Sequence, residues 1–144
     1  MRGRRRGLGW LLAVYGAAMV VVLLFPVSGL LGRLVNALHR LGVRVGMPAS
    51  LGWRWYEFGL NVLLFAVPTV LAVRLWPQVA RWKWLALAFL ISLAVEVTQG
   101  LALPRSADVV DVIANVLGAV VGLAAVAILS RPAGVVYGEA GRPG

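Results

Sequence analysis

The residues of this chain that could do chemistry are gathered between two very apolar stretches. Glu96 and Gln99 stand near the end of one, Asp108, Asp111 and Asn115 open the next, and Arg105 lies between them. Paired carboxylates can serve acid–base chemistry or hold a divalent ion. An arginine can grip a phosphate while carboxylates take an amine or sugar hydroxyls. A glutamate inside a membrane can also carry a proton. No nucleophile–base pair stands out, and the single histidine, His39, falls in another segment. Ionisable groups in apolar surroundings are costly, so these must be satisfied or used.

The surroundings are those of a membrane protein. The chain has 144 residues, room for one compact unit, and is 61% hydrophobic and 13% charged. Its mean hydropathy is +0.90. A soluble domain of this size could not cover so much apolar surface. The net charge of +9 would suggest nucleic acid in a soluble protein. Here the cations cluster at the ends of apolar runs, where they set topology, and no nucleic-acid partner is expected. There is no cysteine, which excludes disulfides and thiolate zinc sites. Neither a metal nor any other cofactor is expected.

Four segments must position the polar residues. Residues 1–7 are a basic N-terminus with Arg2, Arg4, Arg5 and Arg6. The first predicted span is 8–25, read as an uncleaved helix because its apolar run exceeds that of a signal peptide and no cleavage pattern follows. The others are 58–75, with Pro68 expected to bend it, 84–103 and 109–129. Between the first two, residues 28–41 have helical apolar spacing, with Arg33, Asn36 and Arg40 on another face and Gly42 as a stop. A basic amphipathic helix on the membrane surface fits this pattern, and packing onto the bundle is its rival. Trp53, Trp55 and Tyr56 read as interfacial anchors. Residues 8–131 thus form a single domain, an all-α polytopic membrane bundle, and residues 132–144 a disordered cytoplasmic tail. With both termini in the cytoplasm, nine basic residues fall inside and five outside.

An internal repeat crosses this layout. Glu57-Phe58-Gly59-Leu60-Asn61-Val62-Leu63 parallels Asp111-Val112-Ile113-Ala114-Asn115-Val116-Leu117, both acid-x-x-x-Asn-Val-Leu. The ends of the first and third spans also match, at Leu23–Ser28 and Leu101–Ser106. Two hairpins related by an axis along the membrane normal would produce this. Within each copy, the four-residue spacing puts acid and amide on one helix face.

Helical rise brings the polar groups together in the outer leaflet. Glu96 is expected about 10 Å below the outer end of its helix and Asn115 about 9 Å below that of its own, nearly level. Gln99 and Asp111 would lie above them, Arg105 on top, and Asn61 nearby. Ser92 shares the stripe of Glu96 and Gln99. Gly118 and Gly122 continue that of Asn115 and would let another helix approach closely. Three acids facing one arginine fit an outward pocket for a lipid headgroup. They also fit a clasp between helices, closed by a proton, a cation, Arg44 or Arg54. Glu96 is expected either neutral and bonded to Gln99 or Asn115, or charged beside a cationic ligand. A transport reading would need a homo-oligomer, since four short spans make a thin carrier.

The pattern Glu-x-x-Gln, then Arg, then Asp-x-x-Asp-x-x-x-Asn-x-x-Gly-x-x-x-Gly resembles the VanZ-like family, named for a teicoplanin-resistance protein. Glu96, Gln99, Arg105, Asp108, Asp111, Asn115, Gly118 and Gly122 carry it. Asn61, Phe65 and Pro68 extend it through an Asn-x-x-x-Phe-x-Pro pattern, and Thr69-Val70 departs where the family usually has a glycine. The resemblance covers about 56–129. It implies a bacterial multi-span inner-membrane protein and, for some members, a link to glycopeptide resistance. Membrane lipids, a lipid-linked cell-wall precursor or a glycopeptide are then the candidate partners. A lipid-binding protein, a membrane enzyme on the same lipids, and a structural partner using the Gly118 and Gly122 face all stay open at this stage.

Overall fold

The computed structural model describes residues 2–24, 28–102 and 108–130. Within them the chain forms five helices and no strand: α1 Arg2–Leu24, α2 Ser28–Arg44, α3 Trp53–Leu75, α4 Arg81–Ala102 and α5 Val109–Leu129. All but α2 are long and apolar enough to cross a membrane. The proline stops at Pro26 and Pro104, the position of Arg105 and the tail at 132–144 lie outside the described residues.

The helix of α5 has the bounds expected from its apolar run, whereas α1, α3 and α4 begin earlier than theirs. The apolar run marks what must sit in hydrocarbon. Helical hydrogen bonding continues past it into arginine- and tryptophan-bearing turns, because nothing in Arg2–Gly7, Trp53–Glu57 or Arg81–Lys83 breaks a helix. The early start of α3 places Glu57 on a helix one turn before Asn61.

The amphipathic segment ends later than Gly42. Met47 N–H donates to the Gly42 carbonyl at 2.9 Å and Gly46 N–H to that of Val43 at 3.1 Å. With Gly46 at φ +94°, this pair of bonds closes the helix in a left-handed turn that favours glycine. Gly42 instead lies inside α2, where the Tyr56 hydroxyl occupies the space a Cβ would take. His39 meets Tyr56 edge to face, with ring centres 5.5 Å apart. So α2 packs on α3 through His39 and Gly42, while Arg33, Asn36 and Arg40 stay exposed.

The most extensive contact in the bundle joins α3 to α5; α4 packs on α5, and α1 on α3. Gly118 sits against Val62 and Phe65, and Gly122 against Ala66 and Thr69. The numbers rise together, so α3 and α5 run parallel. A Cβ on Gly122 would lie 2.7 Å from the Ala66 carbonyl oxygen and 2.9 Å from Thr69 Cβ. Both glycines let two helix backbones meet, as small residues do in membranes. The neighbour they admit is α3 of the same chain.

Pro68 has no N–H, so the Leu64 carbonyl one turn back loses its helical donor. The Tyr15 hydroxyl of α1 donates to that oxygen at 3.2 Å. In hydrocarbon an orphaned carbonyl would cost several kcal/mol, roughly, so this bond offsets the proline. It also ties α1 to α3 beside the cluster of Met19, Phe65, Leu64, Leu85, Ala88 and Ala119. Large apolar side chains such as Leu90, Leu101 and Val121 face outward. On a soluble domain such patches would drive aggregation; on these helices they meet lipid.

Candidate functional site

A cavity of about 290 Å³ opens where all five helices come together. One wall is polar: Glu57 and Asn61 from α3, Glu96 and Gln99 from α4, Asp111 and Asn115 from α5. The other is apolar, with Tyr15 and Val22 of α1, Leu34 and Val35 of α2, and leucines of α3. Leu34 and Leu63 line it and are themselves exposed, so the cavity opens sideways at that edge.

Local sequence explains how the polar wall is held. On α3 and α5 the acid and the amide of each repeat lie one turn apart on one face. The repeat spacing of 54 residues is also the packing register, since Gly118 sits between the levels of Val62 and Phe65. The two copies therefore stand side by side in the same orientation. They bond to each other directly: Asn61 Nδ2 donates to Asp111 Oδ1 at 2.8 Å. On the other flank Asn115 Nδ2 donates to Ser92 Oγ at 2.8 Å, a bond buried between α4 and α5. The Oδ1 atom of Asn115 is buried and has no hydrogen-bond partner among the described residues.

Glu96 is 6% exposed. Its Oε2 accepts the Asp108 backbone N–H at 2.8 Å. Asp108 is the N-cap of α5, and its own Oδ1 accepts the Val110 N–H at 2.9 Å. Glu96 thus sits at the N-terminus of α5, where backbone donors lack helical partners and the helix dipole favours an acidic group. The bond expected from Asn115 to Glu96 is not made, because that amide is committed to Ser92. It also changes the depths. The start of α5 lies beside Glu96 rather than beside the end of α4, so Asn115 is level with Ser92. Glu96 lies one turn higher, about 6 Å by helical rise.

Asp108 is not part of the cavity wall. It lines a second, apolar groove between α4 and α5 that it shares with Glu96. Its Oδ2 pairs with Arg54 Nη2 at 3.1 Å. The side chains are 68% and 41% exposed, so this pair contributes about 0–1 kcal/mol. The cap itself is worth about 1 kcal/mol. The first turn of α3 therefore reaches the acidic cluster through Arg54.

Of the residues singled out by sequence, Asn61, Glu96, Gln99, Asp111 and Asn115 converge on the cavity, and Gly118 and Gly122 seat α5 against α3. Glu57 and Tyr15 belong to the wall as well. The repeat had marked Glu57 as the counterpart of Asp111. For Tyr15 the signal lay in Pro68, which leaves a carbonyl that some donor must reach. Among the described residues, no group of three histidine, cysteine or acidic side chains is close enough together to hold a metal ion.

No curated protein and no solved structure matches the chain. The sequence model of the VanZ/LLP1 family matches residues 11–130, which takes in most of α1 and all of α2 as well as 56–129, where the resemblance was read. With the repeat, the paired glycines and the polar wall all inside the matched region, the chain belongs to the VanZ/LLP1 family.

Proposed function

We propose that this membrane protein binds the headgroup of an envelope lipid, or of a lipid-linked cell-wall precursor, in the cavity between its helices. The observation that carries this reading is the cavity itself. Polar side chains that only clasped helices together would close on one another, because a void between packed helices forfeits contacts on every side. Here the clasping bonds are made, Asn61 to Asp111 and Asn115 to Ser92, and about 290 Å³ still stands open beside them. That volume is at the lower end of small-molecule sites and suits a headgroup rather than a whole lipid. The apolar wall and the exposed edge at Leu34 and Leu63 give the acyl chains a way out into the bilayer.

In this proposal the protein lies in a bacterial cytoplasmic membrane with both termini inside, so that the cavity faces the outer leaflet. A protein that holds a cell-wall precursor there would change what a glycopeptide antibiotic can reach. Two measurements test the reading. Lipid extracted from the protein purified in mild detergent should be enriched in one headgroup class relative to the host membrane. A composition equal to that of the membrane would count against a site. A reporter active only in the cytoplasm should work after Lys83 and fail after Arg44. The reverse pattern would turn the cavity inward.

A further inference from the structure

We infer that Arg40 and Arg44 of α2 bind the phosphate of an anionic phospholipid at the membrane boundary. The inference stands apart from what the cavity holds. Three stripes follow one another around α2, each about 100° from the last because each is one residue later. Arg33, Arg40 and Arg44 form the first, and all are exposed. Leu34 and Leu41 lie on the second and are 46% and 56% exposed. Val35 and Gly42 lie on the third and are buried. An exposed apolar stripe thus runs between the buried face and the basic one. Leu34 also lines the cavity, so that stripe begins at the cavity's open edge.

The contacts of α2 set its level in the bilayer. Gly42 lies against the Tyr56 hydroxyl, and the His39 ring meets that of Tyr56. Tyr56 belongs to the first turn of α3, a helix long and apolar enough to cross a membrane. This turn marks one end of the span, and Trp53 and Trp55 on it are exposed, as tryptophans at a membrane boundary are. Arg40 and Arg44 stand two residues either side of Gly42, about 3 Å of helical rise. They therefore lie at headgroup level, one turn apart on one face. No acid precedes Glu57 in the chain. Asp108 is taken by Arg54, and Glu57, Glu96 and Asp111 have partners of their own. Among the described residues, Arg40 and Arg44 have neither an ion pair nor a side-chain hydrogen bond. A guanidinium offers a planar fork of donors that matches phosphate oxygens. Two such groups without an acid favour a headgroup of net negative charge over a zwitterion, whose own ammonium offsets its phosphate. Leu34 and Leu41 would rest on the acyl chains of the same lipid layer. An acidic protein could meet the charge, but it would have to displace lipid from these leucines and from Trp53 and Trp55, so the lipid is the better fit.

The chain has no cysteine, so a fluorophore on Leu41→Cys reports this site alone. The full chain carrying it is placed in phosphatidylcholine vesicles that contain a minor fraction of brominated phosphatidylglycerol or, in the parallel sample, of brominated phosphatidylcholine. Bromine quenches the fluorophore on contact, so the ratio of the two quenching curves measures which lipid gathers beside Arg40 and Arg44. Phosphatidylglycerol should be preferred about tenfold or more, close to fivefold for each arginine. High salt should reduce that preference, since both side chains are exposed. Arg40→Gln with Arg44→Gln should bring it to within about twofold of parity. Both arginines are exposed and outside the packed face, so the double variant is expected to fold as the wild type does. Equal quenching by the two lipids in the wild type would overturn the inference and make an acidic protein the partner that the stripe fits. A preference that survives in the double variant would also overturn it, by placing the selectivity elsewhere. Quenching by neither lipid would overturn it too, because α2 would then lie outside the membrane boundary. None of these results bears on lipid held in the cavity, which Glu96→Gln reports separately.

Discussion

Replacing Gly118 with valine is expected to cost the fold about 3 kcal/mol or more and to prevent recovery of monodisperse protein. Any Cβ at this position meets the Val62 carbonyl oxygen and Phe65 Cβ. The first is backbone and cannot swing aside, so α3 and α5 would have to separate. Their contact is the most extensive in the bundle. Separation would also break the part-buried hydrogen bond from Asn61 to Asp111. Gly16 is the control, because nothing lies within 4 Å of a Cβ built there. Gly16→Ala should leave thermal stability near that of the wild type or raise it slightly, since alanine has the better helix propensity. A Gly118→Val protein that melted with the wild type would show that α3 and α5 do not pack as described.

Sequence patterning conveyed the number of spans, the limits of α5, the repeat and most of the polar wall. Each of these depends on residues close together in sequence or on a periodicity that repeats. The acid and amide of each repeat could be placed on one face before their partners were known, because helical spacing alone decides that. The register between α4 and α5 was not legible. It depends on the N-terminus of α5 binding Glu96, a contact between a side chain and a backbone N–H that no spacing encodes. The pairing of Asp108 with Arg54 was open for a similar reason. Several arginines could reach the acidic cluster, and the choice follows from how α3 begins. At the end of α2, both Gly42 and Gly46 could have been the stop. The Tyr56 hydroxyl settles it by taking up the space beside Gly42, a contact across fourteen positions of sequence. Tyr15 was the most hidden member of the wall, since a tyrosine in an apolar helix looks like any other aromatic until the orphaned Leu64 carbonyl is placed beside it.

Glu96→Gln separates the two roles that this residue combines. In the fold, one carboxylate oxygen accepts the Asp108 N–H. A glutamine carbonyl accepts the same bond, so the N-terminus of α5 stays anchored and stability should remain within about 1 kcal/mol of wild type. In the cavity, the substitution replaces an acidic acceptor by an amide that also presents a donor. A hydrogen bond between a charged ligand and the wall is worth about 1.5–3 kcal/mol, so binding should weaken by about tenfold to a hundredfold. The measurement is the lipid retained per protein molecule after purification, wild type against Glu96→Gln, with melting temperature recorded on the same samples. The binding account predicts an enriched lipid on the wild type and its loss from a variant that melts alongside it. A folded Glu96→Gln protein holding the same lipid in the same amount would contradict that account and leave Glu96 as the anchor of α5 alone.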